Sequence, residues 1–130
     1  MPKGIWRLTV RSDFAAAHSL RNYCGKCEAL HGHNFGVEAT VEGGILTPDT
    51  ELLVDFKVLK NALKQVLDGL DHCVLNETPP FDTCNPSSEN LARHIYRHMA
   101  PLVQPHGVRM HSVTVSEKQA QSATYTEVDE

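Results

Sequence analysis

HGHNFGVEATVEGG, residues 31–44, alternates Phe35, Val37, Ala39 and Val41 with Asn34, Glu38, Thr40 and Glu42 until Gly43-Gly44 ends the run. A period of two puts the apolar set on one face of a β-strand and the polar set on the other. His31 and His33 open the stretch two residues apart, so both imidazoles fall on one face at the mouth of the strand. Gly32 between them lets backbone or substrate come close. Upstream, Trp6, Leu8, Val10, Ser12 and Phe14 alternate with Arg7, Thr9, Arg11 and Asp13, which predicts a first strand. A polar loop from Ser19 to Lys26 then allows the two strands to pair antiparallel.

Downstream the period changes. Phe56, Leu59, Leu63, Val66, Leu67 and Leu70 recur at spacings of three and four behind Asp55, a side chain suited to capping a helix. A second helix is announced by Asn85-Pro86-Ser87-Ser88-Glu89 and carries the stripe Leu91, Ile95, Met99 and Leu102, with Pro101 and Pro105 expected to stop it. Val113, Val115 and Glu117 share one face of a third strand, and a weaker fourth is expected from Ala123 to Val128. The order ββααββ predicts an α+β fold, a four-stranded antiparallel sheet with both helices on one face. Residues 1–130 are read as one domain, because this length supports one core and is short for two.

Composition narrows the function classes. With 41% hydrophobic and 22% charged residues the chain reads as folded rather than disordered. A net charge of -4 offers no basic face for a phosphate backbone, so no nucleic-acid partner is expected. No run approaches the length of a membrane span, and MPKGIWRLTV lacks the apolar stretch of a signal peptide, so no membrane partner is expected and a cytoplasmic location is. In that compartment Cys24, Cys27, Cys73 and Cys84 read as thiols or metal ligands rather than a disulfide framework.

His18 lies just past the first strand, beside His31 and His33 if the two strands form a hairpin. Three neutral imidazoles make a catalytic-type zinc site with an open fourth position. Two roles then compete for Cys27. It could join Cys24, His31 and His33 in a closed Cys₂His₂ site, which would make the chain a small zinc-binding module with His18 idle. Alternatively zinc takes the three histidines and Cys27 is free as a thiolate base, with Cys24 incidental or a partner in reversible oxidation. In Leu70-Asp71-His72 the Asp can fix the tautomer of the His or support its protonated form. Glu117 shares a face with Val113 and Val115, where an unpaired carboxylate is costly, so a partner is expected. A guanidine-like ring edge with adjacent N–H donors would suit it. His94 and His98, spaced i, i+4, lack a third ligand nearby in sequence and read as structural; His106 and His111 are assigned no role.

Taken in order, Phe14-Ala15-Ala16-Ala17-His18, Cys27-x-x-x-His31-Gly32-His33, Leu70-Asp71-His72, Pro86-Ser87-Ser88-Glu89-Asn90 and Glu117 closely resemble the 6-pyruvoyltetrahydropterin synthase and 6-carboxytetrahydropterin synthase family, from about Leu8 to Tyr125. The resemblance implies the tunnelling fold (T-fold), a homo-oligomer in which trimeric barrels stack as a hexamer, and active sites between subunits. It implies zinc on His18, His31 and His33 and a substrate of the 7,8-dihydroneopterin triphosphate type. Cys27 would abstract a proton, Asp71 and His72 from a neighbouring subunit would complete the relay, and Glu117 would anchor the pterin. Ser87, Ser88 and Glu89 would also line the substrate site. The short loop before Cys27 favours 6-carboxy-5,6,7,8-tetrahydropterin, the product of the queuosine pathway, over 6-pyruvoyltetrahydropterin. One departure matters: Glu28 follows Cys27 directly, and in this family a Glu there goes with cleavage to a hydroxymethylpterin for folate synthesis, which makes Glu28 a candidate second base. Cys24 and the polar pair Lys118-Gln119 also depart from the family pattern.

Overall fold

The computed structural model describes residues 1–129. Its elements are β1 (Trp6–His18), β2 (His31–Gly43), α1 (Phe56–Asp68), β3 (Cys73–Val74), α2 (Ser88–Val103), β4 (Arg109–Lys118) and β5 (Gln121–Tyr125). One sheet of order β3-β1-β2-β4-β5 carries both helices. β1 and β2 form the expected long hairpin, in register from Trp6 opposite Gly43 to His18 opposite His31. β4 pairs antiparallel with β2, and β5 with β4.

The sheet therefore has five strands and is mixed, where four antiparallel strands were expected. The addition is β3, which runs parallel to β1 with Ala16 opposite Cys73 and Ala17 opposite Val74. Two residues cannot show an alternation, so this strand has no periodic signature in the sequence. β1 also extends four residues beyond Phe14, because the run Ala15-Ala16-Ala17 hides the alternation that continues to His18. β5 ends at Tyr125 rather than Val128.

Both helix starts follow from capping. The Asp55 carboxylate accepts from Lys57 N at 2.9 Å, and the Ser87 hydroxyl accepts from Asn90 N at 3.1 Å. Pro101 does not stop α2, which continues to Val103. A proline inside a helix costs about 3 kcal/mol. Met99 and Val103 around it are fully buried, each contributing about 1.5–3 kcal/mol, so burial of the last turn outweighs the lost hydrogen bond.

The inner sheet face presents Val10, Phe14, Phe35, Val37, Ala39, Val41, Val113 and Val115 to Leu59, Leu63, Leu91, Ile95 and Met99 of the helices. Phe14 and Phe35, opposite one another in the hairpin, stack at 4.9 Å between centroids. The outer face is polar and cross-linked, with Arg11 on Glu38 and with Arg7 and Arg109 both on Glu42. Burial alone would raise the Glu42 carboxyl; the hydrogen bonds from Arg7 and Arg109 outweigh it and hold the group below its ordinary range. No helix among the described residues is long and apolar enough to cross a membrane. Inward positions are even-numbered in β1 and odd-numbered in β2, and continuing both series past Phe14 and Phe35 leads to His18, His33 and His31.

Candidate metal centre

The strand period delivers the histidines, and the hairpin register brings them together. His18 lies opposite His31, and His33 opposite Ala16 one inward position away. Ring centroids are 4.7 Å apart for His18–His31 and for His31–His33, and 5.7 Å for His18–His33. Phe35 underlies the group, its ring 5.0 Å from His18 and 5.9 Å from His33, both edge-on. Glu117, inward-facing near the end of β4, supplies a fourth group. One ligand atom from each of His18, His31, His33 and Glu117 lies within 4.8 Å of the others.

Hydrogen bonding fixes which nitrogens face inward. His18 Nδ1 lies 2.8 Å from the carbonyl of Pro86 and His31 Nδ1 lies 2.8 Å from the carbonyl of Ala29. A carbonyl only accepts, so each Nδ1 carries the proton and donates it, and each Nε2 is left with a lone pair in the neutral ring. His18 is only 1% exposed, and its Nε2 is a buried polar atom with no hydrogen-bond partner. Facing it, at 3.5 Å, is Oε1 of Glu117, whose Oε2 is 3.5 Å from His33 Nε2. Lone pairs turned toward a carboxylate repel one another unless a cation stands among them. The three imidazoles, with the outer nitrogens of two rings held by carbonyls, fit a divalent zinc-type ion with one position left open, and the Glu117 carboxylate beside them adds compensating negative charge.

Glu117 differs from expectation in its surroundings. The strand pattern puts it inside, yet the side chain keeps 24% exposure and its nearest polar partners are imidazoles. It borders a cavity of about 250 Å³ lined also by Leu20, Ser87, Ser88, Glu89 and Gln121. The residues expected to contact substrate thus share one cavity with the imidazole cluster at its edge. Ser87 already uses its hydroxyl oxygen to cap α2.

The remaining candidates lie outside the cluster. Cys24 and Cys27 are exposed thiols on a tight turn, in which Lys26 N donates to Tyr23 O at 3.1 Å and Cys24 and Gly25 have φ of 52° and 82°. Among the described residues no cysteine joins the ligand group, so the closed Cys24–Cys27–His31–His33 site is not assembled. Glu28 accepts from Leu20 N through Oε1 at 3.2 Å and stands 3.9 Å from His31 Nδ1 with the same oxygen. Asp71 accepts from Ala15 N and contacts His72 Nδ1, both at 2.9 Å. The Ala15 N–H holds the Asp71 carboxyl below its ordinary range, with His72 helping against the opposing effect of burial. His72 is held in a left-handed backbone conformation, φ 57°, and its ring is largely exposed. It lines a depression of about 530 Å³ together with Ala15, Asn34, Cys73 and His33. The His94 and His98 rings lie 4.0 Å apart on α2, tilted by 32°, and burial pushes His94 down to about 4, with His98 adding to the shift.

Sequence reasoning missed the Pro86 and Ala29 carbonyls, because a backbone acceptor leaves no side-chain signature. Glu117 as a neighbour of the imidazoles was within reach, since the same period-two argument that aligns His31 and His33 puts it on their face.

Comparison with known proteins gives the family and the fold. The profile of the family described as 6-pyruvoyl tetrahydropterin synthase matches residues 7–128. A 6-carboxy-5,6,7,8-tetrahydropterin synthase from Synechocystis is 33% identical over 125 residues, covering 93% of this chain and 93% of that protein. A dihydroneopterin monophosphate aldolase from Pyrococcus furiosus is 37% identical over 86 residues, covering 66% and 68%. The structure of Caenorhabditis elegans 6-pyruvoyl tetrahydropterin synthase superposes with a TM-score of 0.82 over 98% of this chain and 99% of that one, at 22% identity, which speaks for the fold alone. This chain, an α+β protein of the T-fold type, belongs to the 6-pyruvoyl tetrahydropterin synthase family.

Proposed function

We propose that this protein is a zinc-dependent cytoplasmic lyase that converts 7,8-dihydroneopterin triphosphate into 6-carboxy-5,6,7,8-tetrahydropterin, the queuosine-pathway reaction, with residues 1–130 acting as one domain. The observation that carries the reading is the orphaned His18 Nε2, turned with His31 and His33 toward the Glu117 carboxylate. The name of the Synechocystis relative supports the choice of product.

His18, His31 and His33 would hold zinc, which supplies Lewis-acid polarisation of the substrate's side-chain oxygens. Glu117 sits at the border between the imidazoles and the cavity that includes Ser87, Ser88 and Glu89, and from there receives the paired N–H donors of the pterin ring. Cys27, exposed on its turn, takes the proton from the substrate side chain. Asp71 anchors His72 in one orientation, and the pair shuttles that proton. Loss of triphosphate and acetaldehyde with addition of one water yields the carboxy product; loss of triphosphate with internal redox transfer would yield the pyruvoyl one.

The working unit is proposed to be a hexamer of two stacked trimers with each active site shared between subunits. A cavity of about 250 Å³ is small for a pterin triphosphate, and a second chain would enlarge it. The sheet also has two open margins: β5 on one side, and on the other β1, which β3 covers only at Ala16 and Ala17. Such edges call for a partner strand.

A second reading, side-chain cleavage to a hydroxymethyldihydropterin, is favoured by Glu28 next to Cys27 and by the name of the Pyrococcus relative. Incubating the zinc-loaded protein with 7,8-dihydroneopterin triphosphate and identifying products by mass spectrometry tests both. A dominant carboxytetrahydropterin signal is expected; a dominant hydroxymethyl or pyruvoyl product contradicts the first reading, and no turnover contradicts both.

A further inference from the structure

Past His18 the chain leaves the sheet, yet the backbone N–H and C=O groups of Ser19, Leu20 and Arg21 remain paired. Asn76 receives Ser19 N on Oδ1 and donates Nδ2 to Ser19 O, both at 2.9 Å. Asn85 does the same for Arg21, at 2.8 and 2.9 Å. Between them Leu20 exchanges two bonds with Glu28, N to Oε1 at 3.2 Å and O from the Glu28 N–H at 2.8 Å. Two side-chain amides thus stand in for a neighbouring strand and prolong β1 beyond its last ladder partner.

The Arg21 guanidinium closes the arrangement. It donates to the carbonyls of Phe81 at 2.7 Å, Cys84 at 3.1 Å and Asn76 at 3.3 Å. Its hydrogen-bond acceptors among the described residues are carbonyls, and a planar fork of donors is what can hold three of them at fixed angles. The tie then runs directly into the metal centre. Asn85 is followed by Pro86, whose carbonyl orients His18 Nδ1, and Asn85 O accepts from Asn90 Nδ2 on the first turn of α2.

We propose that Asn85 and Arg21 are positioning residues of the active centre, holding His18 and the Cys27–Glu28 segment in a single frame. Through that frame they set both the affinity of the imidazoles for metal and the reactivity of Cys27. The metal half of this inference rests on the zinc reading given above. Orienting groups behind a metal-bound histidine carry about ten- to hundredfold in affinity, because they fix the tautomer and aim the ring.

The test compares wild type with Asn85→Ala, with Arg21→Lys, which keeps the charge but not the fork, and with Met99→Ala as a destabilising control in the buried core. Zinc affinity is read by competition with a chromophoric chelator. Cys27 reactivity is read in zinc-free protein by iodoacetamide labelling and peptide mass, trypsin cleavage after Lys26 separating Cys27 from Cys24. Asn85→Ala and Arg21→Lys are expected to weaken zinc at least about tenfold and to change the Cys27 labelling rate several-fold. Met99→Ala is expected to melt lower with both readouts unmoved. Should the two frame variants melt lower like Met99→Ala while zinc affinity and Cys27 labelling stay at wild-type values, the inference is overturned. A wild-type chain that binds no zinc instead refutes the metal reading, and the labelling arm then decides the inference alone.

Discussion

His18 and Glu117 face each other across 3.5 Å, the imidazole presenting a lone pair and the carboxylate an oxygen, with no donor between them. Pro86 prevents the ring from relieving this by changing tautomer, since its carbonyl engages Nδ1. A cation between them, a proton or a metal ion, relieves the repulsion, and the position of His31 and His33 fits a metal ion.

Removing the carboxylate charge should therefore have opposite effects with and without metal. Glu117→Gln can donate an amide N–H to His18 Nε2, so the zinc-free protein is expected to gain on the order of 1 kcal/mol. The zinc-loaded variant is expected to lose activity about a hundredfold or more, because the pterin ring loses its bidentate acceptor. Thermal melts with excess chelator, paired with turnover assays, check both; a zinc-free variant less stable than wild type contradicts the electrostatic argument.

Glu28 is expected to separate the products. Glu28→Ala should lower any hydroxymethyl product selectively, by about 10²–10⁴ for loss of a general base. Equal loss of all products would indicate that the residue acts only by ordering Leu20 and standing behind His31. Mass spectrometry of the product mixture separates the two outcomes.

Phe35 links core and centre. It is fully buried, stacked on Phe14 and set edge-on against His18 and His33. Phe35→Ala is expected to cost about 3–5 kcal/mol and also to weaken zinc, since two ligands lose their floor. Urea unfolding and chelator competition measure the two losses; unchanged zinc affinity would show that the floor is not needed.

The His94 imidazole, held near 4 by burial, makes stability depend on pH. Above its ordinary value of about 6.5 both folded and unfolded chains carry it neutral. Between 6.5 and 4 the unfolded chain binds a proton that the folded one refuses, so stability falls as pH falls. With its partial exposure discounted, about 1–3 kcal/mol is expected to be lost across that window. His94→Gln should flatten this part of the profile in urea titrations at pH 7 and pH 5; an unchanged slope rules His94 out as its source.

How much could be read beforehand depends on how each feature is encoded. Side-chain periods revealed β1, β2, β4 and both helices, and the register of one hairpin was enough to join His18 to His31 and His33. β3 escaped because two residues have no period, and it is β3 that follows the Asp71–His72 pair and ties it to β1. Pro101 misled because a local breaker was weighed without the burial of Met99 and Val103. The frame around Arg21, Asn76 and Asn85 was invisible for another reason: its contacts span fifty or more residues and end on carbonyls and amide groups, which no motif spacing records.

The most direct measurement is the zinc content of the purified protein and of two variants, His18→Ala and the double replacement Cys24→Ala with Cys27→Ala, after dialysis against a moderate chelator. The account predicts about one zinc per chain in wild type and in the cysteine variant, and little in His18→Ala. Zinc lost with the cysteines but retained without His18 would contradict it.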